Sequence, residues 1–306
     1  MVLTSPASVV RRNAENARDV NLSGSPQQRV RESGTQTVLL VATALSLLVL
    51  AALIVDILMD GTGRLSLKFL TTYASRRPED TGILAGITGT LSLMVLVAIM
   101  TFPIGVGAAV YLEEFAPKNR LTSLLETNIN NLAGVPSIIY GLMGLSIFVV
   151  TLGLGRSLIS GALTLTLLVL PVVIVAAREA LRAVPREIRS GALALGATPI
   201  QTAFRQTIPA AIPGTMTGTI LALSRAIGET APILVVGAVT RRATNEPWNL
   251  TESFSAIPIQ IFGFVKQPQA EFQIEVASAA IIVLMAILLV MNSAAIIIRN
   301  RYTRTY

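Results

Sequence analysis

REALRAVPREIRSGALALGATPIQTAFRQTIPAAIP, residues Arg178–Pro213, is polar, rich in arginine and punctuated by proline, and it lies between two long apolar runs. Read alone, it is two short helices joined at Gly196. The first is expected over Arg189–Leu195, Gly196 permits a sharp turn, and Thr198 or Pro199 starts the second in a cap position. Pro209 and Pro213 are expected to close the stretch. A helical pair of this size has too little apolar surface to fold by itself. It either leans on the rest of the chain or docks into a partner, and these residues alone leave both readings open.

The sequence on either side is made for lipid. Hydrophobic residues are 52% of the chain and charged residues 13%, with a mean hydropathy of +0.67. A soluble domain carries about twice that charge. The apolar residues fall into six runs, at about 37–58, 83–110, 129–152, 158–177, 214–239 and 276–298. As a helix, each can cross a hydrocarbon core of about 30 Å. A transmembrane barrel would instead alternate in segments of about 10 residues, and no such pattern is present. The expected fold class is all-α, a polytopic membrane protein with six transmembrane helices. Residues 37–300 form the membrane domain, 1–36 a disordered polar tail without a cleaved signal, and 301–306 a basic tail.

Within the spans, Pro103, Pro136, Pro171 and Pro232 are expected to kink or end their helices. FSAIPIQIFGFV, Phe254–Val265, is apolar but too short to span, so it lies at the membrane surface or re-enters. Asp56 and Tyr140 read as an interfacial residue and a packing residue.

Charge sets the orientation. Six spans put both termini on one side. With the N-terminus inside, 15 of the 24 basic residues are inside, 8 are outside, and Arg225 alone is within a span. The positive-inside rule then places both termini and the Arg178–Pro213 stretch in the cytoplasm. The formal net charge of +7 is explained by these loops. No basic patch interleaved with aromatics points to nucleic acid.

The chain has no cysteine and no histidine. That removes disulfides, thiolate nucleophiles, imidazole bases and the usual zinc or haem ligands. None of its three lysines, Lys68, Lys118 and Lys266, follows a glycine, so no phosphate-binding P-loop is present. Nucleotide hydrolysis by that route must come from another chain.

One charged pair sits inside an apolar run. Arg225 and Glu229 are four residues apart in GTMTGTILALSRAIGETAPILVVG, Gly214–Gly237, and share one helix face. An arginine at mid-membrane costs about 2.5–3.5 kcal/mol on insertion scales, so it faces a bundle interior or an aqueous path. Two compatible readings follow. The pair neutralises itself and fastens the helix, or Arg225 offers its planar fork to an anion while Glu229 holds it. Gly214, Gly218, Ala222 and Ala226 recur at four-residue spacing and let another helix approach closely.

Several phrases resemble one family. The Arg178–Pro213 stretch resembles the EAA loop of ABC importer permeases, E-A-A-x3-G-x9-I-x-L-P. Ser190-Gly191-Ala192 takes the EAA place, Gly196 the glycine, and Gln206-Thr207-Ile208-Pro209 the closing motif. Ala192, Gly196 and Pro209 match outright, and Ile208 replaces the leucine conservatively; the glutamate is missing at Ser190. The phrase GALALGAT carries the resemblance on through Ala197. NLAGVPSIIYGL (Asn131–Leu142), LALSRAIGETAP (Leu221–Pro232) and FSAIPIQI (Phe254–Ile261) are similar to segments of the PstA-type permeases of phosphate importers.

The resemblance implies the type I ABC importer permease fold in a prokaryotic inner membrane and a non-enzymatic role. It implies a paralogous PstC-type permease, two PstB-type ATPase subunits that bind ATP and magnesium, and a PstS-type phosphate-binding protein outside. This chain itself would hold no cofactor. Arg189, Ser190, Gly191, Ala192, Gly196, Ala197 and Pro209 would belong to the ATPase-coupling loop, Arg225 and Glu229 to the path, and the loop around Trp248 to the binding-protein dock. A permease for molybdate, sulfate or phosphonate, and an ion channel, are the competing expectations.

Overall fold

The computed structural model describes residues 26–239 and 249–302. Most of the expected polar tail, Trp248 with Arg241 and Arg242, and residues 303–306 lie outside the described residues. All regular structure among the described residues is helical, as the apolar runs predict.

Helix α1, Pro26–Gly61, carries the first apolar run and begins ahead of the boundary expected at residue 37. Leu39, Val41, Leu45, Leu48, Leu50 and Leu53 make it apolar on all sides, the pattern of a lipid-facing helix. Its residues up to Asp56 form a separate compact unit from Ile57–Tyr306.

In the second unit, α2 (Leu67–Thr71) is a short helix capped by Ser66, whose hydroxyl accepts from the Phe69 amide. Helix α3, Leu84–Val110, runs through Pro103 and ends in a π-helical turn, Tyr111–Phe115. Helix α4, Arg120–Ala133, is followed by α5, Ser137–Gly144, which continues as a π-helical segment, Leu145–Thr151. Helix α6, Leu158–Arg182, runs through Pro171. Then come α7 (Arg186–Ala194) and α8 (Pro199–Thr202), with a π-helical turn, Ala203–Thr207, leading directly into α9 (Ile208–Ile227). Helices α10 (Ala231–Val236), α11 (Ile257–Val265) and α12 (Ala277–Tyr302) complete the chain.

Among the described residues, four apolar helical stretches are long enough to cross a membrane, 34–64, 84–115, 158–182 and 272–301. The third expected span is not straight. α4 and α5 meet at an angle of 102°. Pro136 has no N–H to offer the Leu132 carbonyl and biases Val135 toward extended backbone. Tyr140, buried in the core, donates its hydroxyl to that carbonyl at 2.8 Å, so the break is satisfied from within. The fifth expected span is also divided, between α9 and α10. Position explains the prolines: Pro136 and Pro232 open helices, where no hydrogen bond is lost, whereas Pro103 and Pro171 lie inside helices that continue.

Helix α6 is the centre. Leu165, Val169 and Val173 pack with Leu93, Met94 and Val97 of α3 and with Ala222 and Ala226 of α9. Between membrane helices lipid is as apolar as leucine, so close van der Waals fit does the work. The small residues of α9 supply it. A Cβ on Gly214 would lie 2.9 Å from the Ala180 Cβ, and one on Gly218 would collide with the Ala176 Cβ. The four-residue stripe is therefore the α6–α9 seam.

Phe254–Val265 is drawn into the helical body rather than laid on its surface. Ile257, Ile259 and Gln260 are fully buried, the Ile257 amide donates to Thr90 Oγ1 at 3.0 Å, and Gly89 leaves room for the Ser255 carbonyl. The same loop completes α6, whose Leu158 and Ile159 amides donate to the Glu252 and Leu250 carbonyls at 2.9 and 3.0 Å.

Candidate functional site: a broken-helix ion pair and a helical elbow

The Arg225–Glu229 pair forms, in a setting different from the one expected. Arg225 is in the last turn of α9, and Glu229 lies just beyond it, in the Gly228–Thr230 break. The Arg225 Nε donates to Glu229 Oε1 at 3.2 Å. The pair is thus bridged across a helix end rather than along one face of a continuous helix. The reason is local: Pro232 cannot donate to the carbonyl four residues back, so the ladder stops and restarts at Ala231. A cation in the last turn is favoured by the helix dipole. The Arg225 side chain is 57% exposed and that of Glu229 15%. The arginine therefore opens to the outside of the chain while the carboxylate anchors it from within. Its Nη groups make no hydrogen bond among the described residues, so they are available to an oxyanion.

The two sequence phrases meet here. A Cβ on Gly141 of α5 would lie 2.8 Å from the Pro232 Cα of α10, so the two helices that restart after breaks pack directly on each other. Beside the pair, Ser224 shares a hydrogen bond with Asn292 Oδ1 of α12 at 2.5 Å, and Arg299 Nη1 donates to Thr217 Oγ1 at 3.0 Å. Helix α12 thus holds α9 at two points ahead of its ionic end.

The Arg178–Pro213 stretch is an elbow. Arg189, Ser190, Gly191 and Ala192 lie in α7, which starts at Arg186, ahead of the expected boundary. Gly196 turns the chain at φ +86°, followed by Ala197. Thr198 caps α8 through a reciprocal capping box with Gln201. Pro209 and Pro213 do not close the stretch. Helix continues from Pro199 through both to Ile227, so Pro209 sits inside a helix. The π-helical turn just before it loosens the ladder where the Pro209 ring would otherwise crowd the preceding turn. The elbow exposes three large apolar side chains among polar ones: Leu195 is 91% exposed, and Ile200 and Phe204 are also exposed.

The fold also gathers an acidic set that the sequence pattern alone does not bring together. Glu113 and Glu114, in the turn that ends α3, and Glu126 of α4 face Arg178, Arg182 and Arg189. The signal available was an acidic pair at a span end where the positive-inside pattern expects bases. Among the described residues no group of three or more acidic side chains is placed to hold a metal ion.

Apolar helices long enough to cross a membrane, and two broken ones that pack on each other, mark a membrane-embedded helical protein. The chain belongs to the family described as the binding-protein-dependent transport system inner membrane component, which it matches over residues 101–304; it is a permease subunit of an ABC importer, a multi-pass inner-membrane protein. It is 36% identical over 215 residues to the probable ABC transporter permease protein YqgI of Bacillus subtilis, covering 70% of this chain and 72% of that one. It is 34% identical over 223 residues to the phosphate transport system permease protein PstA 1 of Mycobacterium tuberculosis, covering 73% and 72%. Among solved structures, an inward-facing form of the MetNI methionine ABC transporter matches at TM-score 0.60 and 20% identity, over 72% of this chain and 96% of that one. A bacterial alginate ABC transporter with its pentasaccharide-bound periplasmic protein matches at 0.63 and 14%, over 92% and 99%. These two likenesses establish the fold.

Proposed function

We propose that this chain is the PstA-type permease of an ATP-driven phosphate importer. The observation that carries the reading is Arg225, held at Nε by Glu229 and open at its terminal nitrogens beside a break in a membrane helix. A guanidinium placed this way offers a fork to a tetrahedral oxyanion at modest desolvation cost, because Glu229 compensates its charge while the path is empty. The likeness to a phosphate permease supports the choice of anion.

In this reading a paralogous PstC-type permease covers the open face of α9 and completes the path. Two PstB-type ATPase subunits, holding ATP and magnesium, bind below, and one grips the elbow of this chain. A PstS-type protein delivers phosphate above, meeting a surface that includes the loop around Trp248. Both termini and the elbow face the cytoplasm. Exposed Leu195, Ile200 and Phe204 give the ATPase an apolar contact, and Arg189, Ser190, Gly191, Ala192, Gly196, Ala197 and Pro209 shape it. The chain performs no chemistry of its own.

Co-purification and reconstitution test the proposal. The chain should bring down an ATPase and a second permease, and the assembly should take up labelled phosphate on ATP hydrolysis. Competition by sulfate, molybdate or phosphonate as strong as that by phosphate would reassign the anion. Conductance through this chain without any ATPase would make it a channel. Recovery of neither partner would end the transporter reading.

A further inference from the structure

The acid–base set at the inner end of α3 and α6 is directional, and direction decides what it does. Arg178 is the most buried member, its side chain only 5% exposed, with Nη2 2.7 Å from Glu126 Oε1 and Nε 3.6 Å from Glu113 Oε2. Neither nitrogen makes a hydrogen bond. Arg178 therefore supplies neutralising charge rather than a geometric tie. Arg182 does point: its Nε donates to Glu113 Oε2 at 3.0 Å.

Arg189 points in two directions. Its Nη2 donates to Glu114 Oε1 at 2.8 Å and to the Leu181 carbonyl at 2.8 Å. Leu181 is in the last turn of α6, and Glu114 is in the turn that ends α3. One side chain of the elbow is thereby pinned to two spans. The chain already ties α7 to α6 through Ala183–Pro185, and α8 to α9 through unbroken helix. No covalent route joins the elbow to α3. Packing along α6 holds α3 sideways, where Gly105 receives the Val173 side chain, and the Arg182–Glu113 bond ties α3 to α6; the polar tie from the elbow itself to α3 is Arg189–Glu114. The Glu114 side chain is 12% exposed and that of Arg189 25%, so separating them would strand a charge in a poorly hydrated place.

We propose that Glu114 and Arg189 form a strut that carries displacement of the elbow into α3, so that the second span moves together with the fifth. Glu114 is a positioning residue in this scheme, and the scheme rests on the reading of the elbow as the ATPase-coupling loop.

The test uses the complete transporter in proteoliposomes. Wild-type protein must first bring down its ATPase and couple hydrolysis to uptake; failure there overturns the elbow reading itself, before any variant is made. Glu114→Gln should leave ATPase co-purification unchanged and lower phosphate taken up per ATP by about tenfold, as loss of a directed charge pair predicts. Glu114→Asp, which keeps a carboxylate for Arg189 and leaves the Arg189–Leu181 bond intact, should recover a substantial part of that ratio. An unchanged ratio in Glu114→Gln overturns the strut, and so does a loss that Glu114→Asp leaves unrepaired, since plain destabilisation would behave that way.

Because the chain has no cysteine, Glu114→Cys with Arg189→Cys offers an unambiguous cross-link. These long side chains bridge a gap too wide for a disulfide, so a short bifunctional thiol reagent is used. A strut predicts that cross-linking raises uptake per ATP above that of the untreated double variant. Lowered uptake on cross-linking would mean that the two ends move relative to each other, and would overturn it.

Discussion

Arg225 combines a fixed edge with open terminal nitrogens, and this combination makes its role separable by mutation. Arg225→Ala should reduce phosphate uptake to background while the assembled transporter is still recovered, because Glu229 then stays partly buried but close to the solvated break. Arg225→Lys keeps the charge but loses the fork, so it should retain measurable but much weaker uptake. Full uptake by Arg225→Ala would remove the arginine from the path. Tyr140 makes a different argument. Its hydroxyl satisfies the Leu132 carbonyl at the α4–α5 break, and Tyr140→Phe leaves that carbonyl with one bond fewer. That carbonyl keeps its bond from the Val135 amide at 3.1 Å, so the change removes one net hydrogen bond, about 0.5–1.5 kcal/mol, which thermal unfolding in detergent would register as a slightly lower midpoint; an unchanged midpoint would mean water replaces the hydroxyl. The sequence marked Arg225 because charge in an apolar run is expensive. It could not mark Tyr140, since the bond joins residues on two sides of a proline break whose 102° angle is set by packing.

Gly196 of the elbow and Gly218 of the fifth apolar run show how one residue type carries different physics in different elements. At Gly196 a Cβ would meet nothing within 4 Å, and φ is +86°. Gly196→Ala therefore incurs the backbone penalty alone, about 1–2 kcal/mol, and should loosen the elbow, weakening ATPase retention on purification. At Gly218 the backbone is ordinary helix, and the space is filled by Ala176 of α6. Gly218→Leu should force α9 from α6 and lower both yield and thermal midpoint, by more than Gly196→Ala does; equal effects would argue against the seam. The seam was legible from sequence as a four-residue stripe, because helical periodicity alone places it. The breaks were legible only as prolines. Whether a proline bends, starts or merely occupies a helix depends on which carbonyl loses its partner and what replaces it, as Pro103 and Pro136 show by their opposite outcomes. The acidic contacts of Glu113, Glu114 and Glu126 were not legible, since they depend on three chain segments brought together by the fold.

At the scale of the whole molecule, the decisive feature is continuity from Pro199 to Ile227. An elbow closed by Pro209 would be a hinged attachment, whereas unbroken helix makes the elbow and the Arg225 end of α9 one lever. Each helical residue advances about 1.5 Å and turns about 100°, so the lever transmits rotation as well as translation. Besides Pro209 and Pro213, its irregularity is the π-helical turn at Ala203–Thr207, which holds one residue more than regular helix would. Phe204 of that turn is exposed, so deleting it removes little packing. The deletion should restore regular helix and turn α8 by about 100° against α9, which strains α7 against its short tie to α6 and its Arg189 contacts while leaving the α6–α9 seam in register. ATPase retention and basal hydrolysis should persist at reduced levels, while phosphate uptake per ATP falls to near zero because the elbow turns in the wrong plane. Measuring both rates on the same proteoliposomes checks this. Uptake that stays proportional to hydrolysis would mean the elbow acts as a flexible tether, and the continuous helix would then be a packing feature without a mechanical role.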